Sequence, residues 1–131
     1  MASPLRVLIV EDSEDDTLLI VRELQDAGYE PTFERVDTAS AFNTALARQP
    51  WDAVIADYSM PQFDGLAALK LLRGHGLDLP FIIVSGTIGE DTAVAVMIAG
   101  AHDYVLKENL ARLGPAMRRE LREAEGRRAR R

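Results

Sequence analysis

The sequence predicts an α/β domain: a parallel sheet of five strands with five helices on its two faces. Two observations carry this. Short, mostly apolar runs at residues 5–10, 53–56 and 80–85 have the pattern of strands buried on both faces, and each is followed by apolar residues at helical spacing. Strands that alternate with helices make right-handed crossovers, and these give a parallel sheet covered on both sides. The length of 131 residues, 47% hydrophobic and 27% charged, suits one ordinary globular domain.

Residues 5–10 form the first strand and run into Glu11-Asp12-Ser13-Glu14-Asp15-Asp16. Ser13 can cap a helix whose first turn favours Glu14, Asp15 and Asp16 against the positive end of its dipole. Glu11 and Asp12 lie before that cap, at the strand end. The helix presents Thr17, Ile20, Val21, Leu24 and Ala27 on one face and stops at Gly28. Residues 32–36 alternate, as an edge strand with one wet face does. Thr38 opens a second helix carrying Ala41, Phe42, Ala45 and Leu46, which Pro50 closes.

The third strand ends at Asp57, with Pro61 and Gly65 marking loop chemistry beyond it. A helix from about Asp64 to Arg73 presents Leu66, Leu69 and Leu72, and Gly74-His75-Gly76 ends it. Pro80 begins a fourth strand that reaches Ser85, and Gly86-Thr87-Ile88-Gly89 reads as a flexible turn. Residues 90–99 make a helix stopped by Gly100, and residues 102–107 a short fifth strand. Asn109 reads as a cap, and Pro115 fits the first turn of a last helix with Met117 and Leu121 in its apolar stripe. After Glu125 only Ala129 is apolar, so residues 1–125 are expected as the domain and 126–131 as a frayed basic tail.

Composition removes several classes of function. There is no cysteine, hence no disulfide framework and no thiolate chemistry, which favours a reducing compartment. No apolar run approaches the roughly 20 residues that span a bilayer, and no signal-peptide pattern opens the chain, so a cytoplasmic protein without membrane insertion is expected. Residues 115–131 carry seven Arg against three acidic residues, whereas residues 1–114 carry eight basic and eighteen acidic ones. An acidic body does not suit direct nucleic-acid binding, and the basic tail reads as a solvated helix end.

A lone aspartate at a strand end most often only opens a turn. Here Glu11 and Asp12 end the first strand and Asp57 the third, and carboxyl strand ends are where open α/β sheets bind ligands. Three converging carboxylates repel unless a cation sits among them; hard oxygen donors with no cysteine suit Mg²⁺, or Mn²⁺, better than Zn²⁺. The other strand ends add the Ser85 hydroxyl and the Lys107 ammonium. Carboxylates, a metal, a hydroxyl and a lysine make a site for phosphoryl transfer to an aspartate.

The chain from about Leu5 to Leu121 resembles a response-regulator receiver domain of two-component signalling, single or detached from a longer chain. The matching residues are Glu11-Asp12, Asp57 within Asp57-x-x-Met60-Pro61-x-x-Asp64-Gly65, Ser85-Gly86, Tyr104 and Lys107. The resemblance implies the flavodoxin-like strand order 2-1-3-4-5, which puts the first and third strand ends side by side. It implies that Asp57 accepts phosphate from a phosphohistidine of a sensor kinase or phosphotransfer protein. It further implies Mg²⁺ held by Asp12, Asp57 and the Ser59 carbonyl, with Glu11 helping through water. Lys107 would pair with a phosphoryl oxygen, Ser85 would bond the phosphoaspartate, and Tyr104 would turn inward behind it. Such a domain is a signalling phosphoacceptor that catalyses only its own phosphorylation and dephosphorylation. One departure stands out: the family usually has proline after the lysine, and this chain has Glu108.

Rival readings fit less well. A flavodoxin's first loop must cradle a phosphate, which residues 11–16 would repel. An aspartate-nucleophile phosphatase needs two aspartates flanking one residue, and Asp57-Tyr58-Ser59 does not supply them. A module that no longer takes phosphate would not need the acidic pair, Asp57 and Lys107. His75 and His102 read as ordinary surface or turn residues. Residues 92–99 contain no charge, more apolar surface than a helix on a sheet can bury, so some is expected to stay outside, and the resemblance implies that the face of the fourth helix, fifth strand and fifth helix makes a homodimer or output-partner contact. The Met117 to Leu121 stripe is the alternative cover for it.

Overall fold

The computed structural model describes residues 2–86 and 89–130. Five strands, β1 (Ser3–Val10), β2 (Tyr29–Val36), β3 (Ala53–Asp57), β4 (Phe81–Ser85) and β5 (Asp103–Leu106), form one sheet in the order β2-β1-β3-β4-β5. Every pairing is parallel, with Val10 beside both Val36 and Ala56, Asp57 beside Val84, and Ser85 beside Leu106. The carboxyl ends of β1, β3, β4 and β5 therefore open onto one edge. Helices α1 (Glu14–Asp26), α2 (Ala39–Arg48), α3 (Gly65–Gly74), α4 (Glu90–Ala99) and α5 (Leu113–Ala129) connect or follow the strands. The predicted fold class and strand order are both met.

Burial explains which strands lie where. All five positions of β3 and of β4 are buried, as strands covered on both faces require. One core layer gathers Leu8, Val10, Phe42, Leu69, Leu72 and Val96 under α2, α3 and α4. The other gathers Ile9, Ile20, Leu24, Val105, Leu113 and Met117 under α1 and α5. The caps act as the residue types require: Ser13 Oγ accepts the Asp16 N–H at 3.1 Å, Thr38 Oγ1 the Ala41 N–H at 3.0 Å, and Gly100 ends α4 at φ 116°.

Several expectations need correction. The alternation in β2 is not kept: only Val36 is buried and Phe33 is 39% exposed, because a strand at the sheet edge meets water beside it as well as above it. Asn109 caps nothing; it lies at φ −128°, ψ 45° inside a 3-10 turn, Lys107–Arg112, and α5 starts only at buried Leu113. Pro115 does fall in the first turn of α5, where its missing N–H costs nothing. That helix continues to Ala129 instead of ending near Glu125, and Arg127 Nε donates to Asp78 Oδ2 at 2.9 Å. Thr87 and Ile88 of the expected turn lie outside the described residues. All described peptide bonds are trans, Lys107–Glu108 included.

Helix α4, without charge after Asp91, keeps an apolar outer face. Val94 is 53% and Ile98 81% exposed, with Met97 partly so. The α5 stripe does not cover them, since Met117 is buried and Leu121 packed in the layer shared with α1. At the opposite sheet end from the acidic residues, Trp51 is buried with Nε1 donating to the Ala45 carbonyl at 2.9 Å. On β5, Arg112 donates to the Tyr104 carbonyl and pairs with Asp103 Oδ1 at 2.9 Å.

His102 is no simple turn residue. Its Nδ1 accepts the Phe81 N–H at 2.9 Å, joining β4 to the start of β5. Burial, then Arg127 and Arg73, push its pKa below the ordinary 6.5, against an opposing pull from Asp78. A ring protonated at Nδ1 cannot accept that bond. The neutral ring's contribution is therefore complete above pH 6.5 and is lost as pH falls through that value toward the lower folded pKa. Urea midpoints measured against pH should fall more steeply on the acid side for the wild type than for His102→Asn, whose amide oxygen stays neutral. Parallel curves would remove His102 from the explanation.

Candidate functional site

Four strand ends build the site. Beyond β1, Glu11 is 1% exposed and its Oε1 accepts the Ser13 N–H at 3.2 Å, which folds the acidic loop back over the sheet. Arg35, at the end of β2, donates to the Glu11 carbonyl at 3.2 Å and pairs with Glu14 at 3.5 Å. Asp57, 5% exposed, closes β3, and its Oδ1 accepts the Ser59 N–H at 3.0 Å. Ser85 ends β4 with its hydroxyl 3.4 Å from that of Ser59. From the end of β5, Lys107 reaches back across the sheet edge.

Lys107 Nζ lies 2.7 Å from Asp16 Oδ2, 3.1 Å from Glu11 Oε2 and 3.2 Å from Asp57 Oδ2. The contacts to Asp16 and Asp57 have hydrogen-bond geometry. The one to Glu11 is an ion pair without it, which leaves the buried Oε2 lacking a hydrogen bond. Burial raises the Glu11 carboxyl to about 7, Lys107 pulling it down and Asp57 adding to the rise. Burial opposes the charge of Lys107, yet the close carboxylates of Asp16 and Glu11, with the field of Asp57, hold its pKa above the ordinary value.

These groups line a cleft of about 410 Å³ formed by Glu11, Asp12, Asp16, Asp57, Ser59, Gly86 and Lys107. Carboxylate oxygens of Glu11, Asp12 and Asp57 all lie within 4.8 Å of one another. A cluster of hard oxygen donors with one buried oxygen left unbonded fits a small divalent cation such as Mg²⁺. Of the residues singled out in the sequence, Ser85 stands just behind the cleft wall, buried, and Tyr104 is not in the cleft. Tyr104 is half-buried, packs partly against the α2/α3/α4 layer and lines a separate cavity with Asp103, Leu106, Asn109 and Arg112.

Sequence reasoning missed Asp16, which it explained wholly by the helix dipole. Nothing local separates it from Glu14 and Asp15, which share the same first turn. Arg35 was missed as well, because a charge on an edge strand ordinarily points at water.

The model of the response regulator receiver domain matches residues 7–118. The chain belongs to this family. The receiver domain is 35% identical over 119 residues to the transcriptional regulatory protein PrrA of Mycobacterium tuberculosis, covering 87% of this chain and 50% of that protein. It thus spans about half the length of the curated relatives it matches. Among solved structures it resembles full-length FixJ from B. japonicum, with a TM-score of 0.80 and 27% identity over 95% of this chain and 61% of that one. It also resembles the receiver domain of the sensor histidine kinase PA1611 from Pseudomonas aeruginosa, solved with a magnesium ion coordinated in its active-site cleft. That likeness has a TM-score of 0.73 and 25% identity, over 91% of this chain and 98% of the other.

The loop after Asp57 is fixed by close packing. Asp64 Oδ1 caps α3 through the Ala67 N–H at 2.9 Å, and Gly65 follows under β3 and β4. A Cβ on Gly65 would lie 2.6 Å from Ile83 Cδ1 and 3.2 Å from the Asp57 carbonyl oxygen. Gly65→Ala should therefore overpack the buried sheet edge and cost about 1–3 kcal/mol, read as a lower urea midpoint. An unchanged midpoint would mean that Ile83 turns away freely.

Proposed function

We propose that this receiver domain accepts a phosphoryl group on Asp57 from a phosphohistidine of a sensor kinase or histidine phosphotransfer protein. The observation that carries the reading is the placement of Lys107 Nζ 3.2 Å from Asp57 Oδ2 and 3.1 Å from Glu11 Oε2, at the mouth of a cleft with three clustered carboxylates. Glu11, Asp12, Asp57 and the Ser59 carbonyl would hold Mg²⁺. When bound, this ion neutralises the carboxylates and the phosphoryl oxygens that meet there. Asp57 attacks phosphorus with a carboxylate oxygen as the donor's phosphorus–nitrogen bond breaks, its electron pair leaving with the imidazole. Lys107 keeps its proton and offsets the charge on the transferred group. Ser85 supplies a hydroxyl behind the phosphoaspartate, and Tyr104 rearranges with it. Kinase and receiver of this kind meet in the cytoplasm.

The output face that we assign is α4 with β5 and α5, because Val94 and Ile98 stay exposed there, for a partner or a second copy of the chain.

Incubation with Mg²⁺ and a small acyl phosphate should add one labile phosphoryl group by intact mass. Asp57→Asn should add none while keeping the wild-type circular dichroism spectrum. A label retained in that variant at equal stoichiometry would overturn the assignment, and continuous turnover of the donor would favour a phosphatase. Ile98→Glu should leave phosphorylation intact and abolish any phosphate-dependent change in association measured by sedimentation. Unchanged association in both states would remove this face from the output surface.

A further inference from the structure

The shortest contact of Lys107 is to a residue outside the metal-binding set. Its Nζ lies 2.7 Å from Asp16 Oδ2, closer than Glu11 at 3.1 Å or Asp57 at 3.2 Å. Asp16 belongs to the first turn of α1, where Ser13 Oγ accepts its N–H. The helix dipole favours an acid at this place but does not direct it, since Glu14 and Asp15 share the turn and stay exposed. Asp16 alone of these three lines the cleft.

An ammonium has three N–H donors. Lys107 gives hydrogen bonds to Asp16 and Asp57 and pairs with Glu11 at 3.1 Å, so a phosphoryl oxygen arriving at Asp57 must compete with a carboxylate for it. Glu11 and Asp57 are 1% and 5% exposed, so losing Lys107 would leave their charges without water to replace it. The Asp16 side chain is 36% exposed, and water can take the place of the ammonium there at small cost.

We propose that Asp16 is a positioning residue for phosphoryl transfer: it competes with the incoming phosphoryl group for Lys107 and releases the ammonium as the phosphoaspartate forms. The inference rests on the phosphoacceptor reading of Asp57. The Asp57 oxygen–phosphorus bond forms, the bond from phosphorus to the donor breaks with its electron pair, and no proton leaves Lys107. One of its hydrogen bonds passes from Asp16 to a phosphoryl oxygen, and Asp16 turns to water.

The test uses the full chain with Mg²⁺ and acetyl phosphate, following initial rates against donor concentration. Asp16→Asn should reach half its maximal rate at a donor concentration roughly two- to five-fold lower than the wild type, the range that a half-exposed ion pair supports. Asp16→Glu should stay near the wild type, and in a Lys107→Ala background the difference between Asp16 and Asn should vanish. Exchange of the Lys107 ammonium protons, read by NMR without phosphorylation, should be faster in Asp16→Asn and wild-type-like in Asp16→Glu. This second readout serves if Lys107→Ala labels too slowly, and Asp16→Gln replaces Asp16→Asn if the latter unfolds. Unchanged ammonium exchange, or a rate shift that persists without Lys107, overturns the inference. A wild type that takes no phosphate overturns instead the reading of Asp57.

Discussion

One ammonium among buried carboxylates is the constraint on which the site depends. Glu11 and Asp57 end neighbouring strands, and their charges are nearly out of water. Without Lys107 each would carry a desolvation cost offset only by one backbone N–H, from Ser13 or Ser59, and with Lys107 present burial still raises the Glu11 carboxyl to about 7. The cluster is thus poised in the absence of a divalent ion, and a second cation has a place to act. Lys107 follows β5, two strands away from Asp57, so its side chain must cross the carboxyl end of β4 to arrive.

The remainder of the fold serves that edge. Buried β3 and β4 hold Asp57 and Ser85 one residue apart in register, with Asp57 beside Val84 and Ser85 beside Leu106. Gly65 lets α3 approach the Asp57 backbone closely, since a Cβ there would press on Ile83 and the Asp57 carbonyl, so the loop that carries Ser59 has a fixed return point. Similarly, Arg35 ties the acidic loop to β2 through a backbone carbonyl, leaving the carboxylates of that loop free to face the cleft. At the far end of the sheet, the Asp78–Arg127 pair holds the last turns of α5 close to the start of β4.

Most of this architecture was legible because burial writes itself into composition. The apolar runs of β1, β3 and β4 and the capping residues Ser13 and Thr38 are local signals, and the structure keeps them. Asp57 and the acidic pair were legible for a related reason: a charge directly after a buried strand needs a purpose. What the sequence hid was decided by neighbours far along the chain. Asp16 looks like an ordinary first-turn acid until Lys107, ninety-one residues later, arrives beside it. Arg127 looks like tail charge until Asp78 receives it, and Asn109 looks like a cap until the burial of Leu113 sets where α5 begins. The strand order came from family resemblance, since alternation of strands and helices leaves it open.

Both borders of the sheet are blunted. On β2, Pro31 has no N–H to offer, and Arg48 pairs with Glu34. On β5, a strand of only four residues, Arg112 covers the Tyr104 carbonyl. Exposed strand borders are templates for aggregation by edge-to-edge pairing, and a guanidinium over one of the few open carbonyls denies that template where the strand is shortest. The domain can therefore display the apolar face of α4 without inviting the runaway stacking that an open strand beside it would seed, so stickiness is confined to side chains, where recognition can be selective.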